Sequence, residues 1–297
     1  MTKSNRKLYT KEKRTAFAFI TLPLIGFSVF TLFSLVAVLV FSFADYNTYR
    51  ETFDFSKPFQ NFVNLFTNDT YSNAFFRSIG NTVLLLIGIP IGMVAGLFVA
   101  ALLQSKAVKK GSKVFQVLYY LPAVTSAVAV NLVFRYIFNP SYGLINRLFD
   151  ADIPWFSNEW LIKIAIILKN TWSSMGGTMI LYIAGMLAIP QSYYESADVD
   201  GASPLRKFFS ITFPLLTPTT FYIIITSVIG GLQSYADAQI FGAGAAGSQT
   251  IVWFIWNYGI NQGKQGLASA ASLVLAVFIM IVTVIQFRYS NKWVYED

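Results

Sequence analysis

Six long apolar runs, at 16–43, 80–104, 113–138, 160–187, 214–241 and 266–287, constrain this chain more than anything else in it. A helix needs roughly 20 residues to cross the hydrocarbon core of a bilayer, and several of these runs exceed that length. The predicted fold is all-α, a polytopic membrane protein with six transmembrane helices. Composition agrees: 55% of the residues are hydrophobic and only 12% charged, well outside the soluble range.

The chain has no cysteine and no histidine. That excludes disulfides, thiolate or imidazole metal sites, haem held by histidine, and histidine-based triads. No metal site and no cofactor of its own is expected. The net charge of +8 is not read as a nucleic-acid footprint, because its distribution follows membrane topology. One side carries 14 basic residues, in the leader (Lys3, Arg6, Lys7, Lys11, Lys13, Arg14), the second connection (Lys106, Lys109, Lys110, Lys113), the fourth (Arg206, Lys207) and the tail (Arg288, Lys292). The other side carries 5, namely Arg50, Lys57, Arg77, Arg147 and Lys264. The positive-inside rule then puts both termini in the cytoplasm of a cell with a multi-pass plasma-membrane protein. The first run follows a basic leader without a small-residue cleavage site, so it reads as a retained span. The alternative is an uncleaved anchor with no packing role.

Two outer connections carry further expectations. Between Asp45 and Ile79, the spacing of Phe59, Phe62 and Phe66 suits a short amphipathic helix on the outer face. It serves either as an interfacial aromatic belt or as a docking surface. The small-residue loop from Gly242 to Gly247 has too little side chain to pack and is expected to be mobile.

A polar island separates the fourth and fifth runs: Tyr194-Glu195-Ser196-Ala197-Asp198-Val199-Asp200-Gly201-Ala202, running on to Pro214. Ser192 and Glu195 have capping-box spacing, which predicts a helix starting at Tyr193. Gly201 can take the left-handed conformation that ends such a helix. Ser203 then caps a second start, with Pro204 at its first position. Two short helices joined at a glycine would present Glu195, Asp198 and Asp200 to the cytoplasm. Local physics alone also permits a solvated turn whose acids merely keep it out of lipid.

Glu195-Ser-Ala-x-x-Asp200-Gly201-Ala202, followed by Ile211, Pro214 and Leu216, resembles the Glu-Ala-Ala loop of ATP-binding-cassette importer permeases, of the binding-protein-dependent type I family. The departure is Ser196 in place of an alanine. The segment Leu121-Pro122-Ala123-Val124 to Phe134-Arg135, with Asn139-Pro140-Ser141-Tyr142-Gly143-Leu144-Ile145-Asn146, is similar to the first permease subunit of maltose, glycerol-3-phosphate and multiple-sugar importers. Asn61-Phe62, Asn81-Thr82 and Asn170-Thr171-Trp172 look like that group too. Where the group has a Gly-Gly-Pro turn after the fifth span, this chain has Gly242–Gly247 and Thr250 without proline.

The resemblance implies a type I importer transmembrane domain working as half of a heterodimer. Its partners would be a second homologous permease subunit, an ATP-binding-cassette ATPase dimer, an extracellular sugar-binding protein, membrane lipid and an oligosaccharide substrate, with no nucleic acid. ATP and Mg would sit on the partner ATPase, because this chain lacks a Gly-x-x-x-x-Gly-Lys-Ser/Thr loop. The resemblance thus implies a transport subunit rather than an enzyme. The loop would couple to the ATPase through Glu195, Ala197, Asp198, Asp200, Gly201 and Ala202. The implied organisation is a basic leader (1–15), a first span with its outer loop (16–79), a core (80–290) holding the coupling loop (190–213), and a tail (291–297).

Polar groups inside spans are costly and mark function by default. Counting 1.5 Å per residue, the fourth run places Asn170, Trp172, Ser173, Ser174 and Gly177 near mid-depth, with Lys169 beside them. The fifth brings Ser227, Gly230, Gly231, Gln233, Ser234, Tyr235 and Asp237, and the third Asn131 and Arg135. These form the expected substrate pathway, with Trp172 and Tyr235 as flat faces for a sugar. Taken singly, Gly176-Gly177 and Gly230-Gly231 also suit helix packing. Lys163 and Arg135 suit snorkelling, and Asp237 suits an ion pair with Arg135 or Lys169. Alternatives in function are import of another polar solute such as glycerol phosphates, which calls for more cavity-facing cations, and an ion-coupled secondary transporter, which calls for midplane acids or broken helices.

Overall fold

The computed structural model describes residues 3–105, 108, 111–242 and 244–295. Of the expectations above, Lys106, Lys109 and Lys110, position 243 and residues 296–297 lie outside these. So do the side chains of Lys3, Arg6, Lys7, Lys11 and Arg14. The chain divides into two compact units, Met1–Tyr71 with Ile255–Val274 and Ser72–Phe254 with Leu275–Asp297.

In the first unit, α1 (Lys3–Phe27), a π-helical turn (Ser28–Leu32) and α2 (Phe33–Ser42) run without a break. They give a 28-residue apolar span, Thr15–Ser42, none of whose most apolar window is buried. Phe19 and Phe30 are 75% and 78% exposed. Its last turn does pack on its own chain, where the Phe41 ring meets Tyr46 and Phe53. A hairpin follows that the sequence reading had not foreseen, β1 (Asp45–Asn47) against β2 (Thr52–Asp54). Tyr46 faces Phe53 across it in an edge-on ring contact at 5.5 Å. The amphipathic helix between these strands and the second span forms as α3 (Gln60–Thr67), but its buried residues are Asn61 and Leu65 while Phe59 and Phe66 stay exposed. Asn61 decides this: its amide donates to the carbonyls of Ser42 (3.1 Å) and Ala44 (2.8 Å), which no helix partner satisfies at that end.

The second unit is built around one long helix. Its elements are α4 (Asp69–Leu85, from just before the boundary), α5 (Gly88–Gln104), α6 (Ser112–Val124), α7 (Ala127–Ile137), α8 (Leu144–Phe149) and α9 (Glu159–Ala188). Then come α10 (Gln191–Val199), α11 (Pro204–Lys207), a π-helical turn (Phe208–Thr212), α12 (Phe213–Leu215) and α13 (Thr217–Leu232). A second π-helical turn (Asp237–Phe241) precedes α14 (Ile251–Trp256), whose last two residues fall in the first unit, and α15 (Gln265–Ser290) belongs to the second unit from Leu275 onward. Pro90 cannot donate to the Leu86 carbonyl, which accounts for the interruption between α4 and α5. Helix α5 approaches α9 through glycines: a Cβ on Gly92 would lie 2.6 Å from Ser174 Oγ, and one on Gly96 2.8 Å from Thr178. Met93, Val99 and Leu103 pack there with Met179, Tyr182, Ile183 and Ile223. A second core joins Leu85, Phe138, Trp155, Ile162, Ile166 and Phe241.

Among the described residues, Thr15–Ser42, Asp69–Gln104 and Gln265–Ser290 are long and apolar enough to cross a membrane, and three bent helix pairs make the total six if each pair counts as one span. Two runs differ from expectation. The third, expected to be continuous over 113–138, bends by 96° between α6 and α7. Pro122 lies in the last turn of α6 and Thr125 is extended, so the helix cannot continue. The fifth, expected over 214–241, ends at Leu232, where Gln233 and Ser234 N–H close back on the Gly230 and Gly231 carbonyls. The loop after Phe241 is a further correction, since it packs firmly. Asn81 donates to the Ala246 and Gln249 carbonyls at 3.0 Å each, and Thr82 Oγ1 accepts from Ile251 N–H at 2.9 Å. A Cβ on Gly247 would lie 2.5 Å from the Glu159 carbonyl oxygen. Small residues here let backbone meet backbone.

Candidate functional site

The polar island folds as an elbow. Helix α10 starts at Gln191, directly after Pro190 in an extended conformation. That corrects the expected start at Tyr193: Ser192 lies inside the helix and caps nothing. The far end matches the reading. Gly201 has φ +68°, its N–H bonds the Asp198 carbonyl (3.1 Å), and Ala202 N–H bonds that of Ala197 (2.9 Å). This is the Schellman arrangement that closes a helix with a left-handed glycine. Ser203 Oγ accepts from Arg206 N–H, capping α11 with Pro204 at its start. An ion pair between Lys207 and Asp198 spans the bend, and Tyr194 Oη meets Thr212 Oγ1 at 2.9 Å. Glu195, Asp198 and Asp200 are all exposed, although Asp198 is engaged within the elbow. Exposed Val199 (89%) and Leu205 (72%) stand beside them. The sequence reading weighed only acids and small residues there; an apolar valine inside a polar island was the available signal.

A cavity of about 440 Å³ opens in the second unit, bounded by α5, the α6–α7 break, α9, α13 and the segment after it. Of the predicted pathway residues, Asn131, Asn170, Ser173, Ser174, Ser227, Gly230, Gly231, Ser234 and Asp237 line it. With 3.6 residues per turn, Lys169, Asn170, Ser173, Ser174 and Thr178 fall within one half of the α9 circumference. Trp172 falls outside that arc and packs on Phe134 with ring centroids 5.1 Å apart. Arg135 donates to the Ile240 carbonyl (3.2 Å). Neither lines the cavity, nor do Gly177, Gln233 and Tyr235. The aromatic faces expected for a sugar are thus absent from this wall. The α6–α7 bend turns Arg135 away, and the end of α13 at Leu232 takes Gln233 and Tyr235 off the helical register assumed for them.

Each glycine pair splits. A Cβ on Gly176 would lie 2.0 Å from the Tyr119 carbonyl oxygen, whereas Gly177 has open space. Gly231 abuts Leu86, while Gly230 has nothing within 4 Å. One member packs and the other leaves room.

Charge within the cavity wall is paired. Lys169 donates to Asp237 Oδ1 and to Asn131 Oδ1 (3.1 Å). Asp237 Oδ2 accepts from Asn170 (2.8 Å) and Ser234 (3.2 Å). Three stretches of chain, α7, α9 and the post-α13 segment, are joined by this one network. Both members are nearly buried, with side-chain exposures of 5% and 10%. Lys163, expected to snorkel, is instead buried with its ammonium over the Trp160 ring at 4.8 Å. The wall also holds Leu85, Leu86, Ile89 and Met93 from the second span. Apolar residues in an apolar run gave no sequence signal for that role.

A multi-span helical protein with a polar-walled cavity in the bundle and a capped elbow between two of its helices is a permease-type membrane subunit. The chain belongs to the family of binding-protein-dependent transport system inner membrane components, whose pattern matches residues 88–294. It is therefore a transport component and not an enzyme. It is 32% identical over 302 aligned residues to the probable ABC transporter permease protein YesP of Bacillus subtilis (strain 168), covering 97% of this chain and 94% of the relative. It is 26% identical to the arabinooligosaccharides transport system permease protein AraP of the same organism, over 97% and 92% of the two chains. Its fold matches a chain of a bacterial ABC transporter involved in the import of the acidic polysaccharide alginate, with a TM-score of 0.82, 22% identity, and coverage of 96% and 99%. The fold is that of a type I importer transmembrane domain.

Proposed function

We propose that this chain forms half of the translocation pathway of an ATP-driven oligosaccharide importer. The observation that carries the reading is the cavity wall of amides and hydroxyls, from Asn131, Asn170, Ser174, Ser227 and Ser234, set beside an apolar floor. A glycan presents the same mixture, hydroxyls around the ring edge and C–H on its faces. Gly230 leaves space in that wall for a bulky cargo. The AraP relative, named for arabinooligosaccharides, supports the same substrate class.

In this reading both termini and the elbow face the cytoplasm, and a second homologous permease completes the pathway. An extracellular binding protein delivers cargo, in keeping with the family's dependence on one. Paired ATPases holding ATP and Mg clamp beneath. Glu195 and Asp200 contact a basic rim on the ATPase through charge-assisted bonds, Val199 and Leu205 fill an apolar socket, and Ala197 and Ala202 allow close approach. Gly201 holds the bend, and the Lys207–Asp198 pair makes the elbow move as one body. Closing the ATPases then displaces α12 and α13, a two-state element biased by nucleotide. The test is uptake of labelled oligosaccharides by proteoliposomes holding the whole complex, with ATPase activity followed in parallel. Uptake that needs ATP and falls with Glu195→Lys supports the reading, and uptake unaffected by either overturns it.

A further inference from the structure

Among the described residues lining the cavity, Lys169 and Asp237 are the sole ionisable ones, and they face one another. We infer that this pair sets the charge selectivity of the pathway: by neutralising Lys169, Asp237 makes this half of the cavity specific for uncharged glycans and closed to acidic ones. The inference rests on the proposal that the cargo is an oligosaccharide and adds the class.

Donor and acceptor counts carry it. An ammonium has three N–H donors. Two are taken by Asp237 and Asn131, which leaves one for a ligand. One remaining N–H on a neutralised cation suits a hydroxyl oxygen. To a carboxylate it offers one bond and no net positive charge, less than the two aligned donors or the unpaired cation that hold such a group tightly. The Asp237 carboxylate is itself saturated on Oδ2 by Asn170 and Ser234, so Asp237 is locked in place. An acidic cargo would give up hydration to a wall whose one cation is already neutralised, so no unpaired positive charge offsets the desolvation of its carboxylates. A neutral glycan carries no such cost.

The same network predicts what releases the restriction. Asp237→Asn keeps the shape and the amide contacts but leaves Lys169 unpaired, so the wall gains one positive charge. The paired change Lys169→Gln with Asp237→Asn keeps the wall neutral and guards against a simple folding defect. The experiment measures competition between labelled neutral oligosaccharides and oligogalacturonides of equal length in vesicles bearing the complete transporter. Wild type is expected to favour the neutral glycan at least tenfold. Asp237→Asn should raise oligogalacturonide uptake relative to neutral at least fivefold, and the double variant should stay neutral-selective. Wild-type transport of the acidic glycan at a rate equal to or above the neutral one overturns the inference while leaving the oligosaccharide reading standing. So does an Asp237→Asn preference that matches wild type in an assembled transporter. Transport of neither glycan overturns the oligosaccharide reading itself. If Asp237→Asn fails to assemble, the wild-type competition and the double variant decide.

Discussion

Single atoms set what this molecule tolerates. Gly176 and Gly177 are neighbours in sequence with opposite surroundings, one facing the Tyr119 backbone and the other open space. Gly176→Ala is expected to destabilise the subunit by about 1–3 kcal/mol through overpacking, read as a lower thermal midpoint of the purified complex, while Gly177→Ala leaves it unchanged. Ser173 shows the reverse economy. Its Oγ is buried without a hydrogen-bond partner, and a buried unpaired hydroxyl costs roughly 1–3 kcal/mol. Ser173→Ala should therefore be neutral or stabilising in the same melt. A clear loss of stability would mean that the hydroxyl has a partner in the working complex. At this scale the sequence showed which residue types matter but not which way they face. Trp172 looked like a sugar platform because it stands among Asn170, Ser173 and Ser174, yet helical geometry turns it onto Phe134.

At the level of elements, the elbow was the most legible part of the chain, because its determinants are local. Gly201 at positive φ, Ser203 as cap and Pro204 at a helix start each act within a few residues. The break between α6 and α7 was hidden because apolar residues continue through it, and hydropathy does not register a 96° turn. The packed loop after Phe241 was misread for a related reason: glycine and alanine have little to pack with, but their backbone is what Asn81 and Glu159 grip. The Lys169–Asp237 pairing needed the fold, since 68 residues separate the two in sequence. For the elbow, forcing a Cβ into the left-handed region costs about 1–2 kcal/mol. Gly201→Ala should loosen the bend, so that ATP hydrolysis per molecule transported rises while the cavity still accepts cargo. An unchanged ratio of hydrolysis to transport would show that the bend need not be held. Ser203→Ala, which removes a cap worth about 1 kcal/mol, should push the ratio the same way by less.

Across the whole molecule, six apolar runs were enough to read an all-α polytopic membrane protein, because the bilayer leaves few other solutions; the importer-permease reading needed the resemblance carried by the 195–202 loop and the 121–146 segment. Two sites lie in the second unit. A cavity in the bundle would hold cargo, and an elbow at the end of α9 would take the stroke of a motor. Helix α9 runs from one to the other, carrying Lys169 and Asn170 in the cavity wall and leading into α10 beyond Ile189. The most direct test of this connection is ATP-driven oligosaccharide uptake by the assembled transporter carrying Glu195→Lys, with cargo binding measured on the same vesicles. Retained binding with uptake reduced at least tenfold is the predicted result. Full uptake with that carboxylate reversed in charge would contradict it.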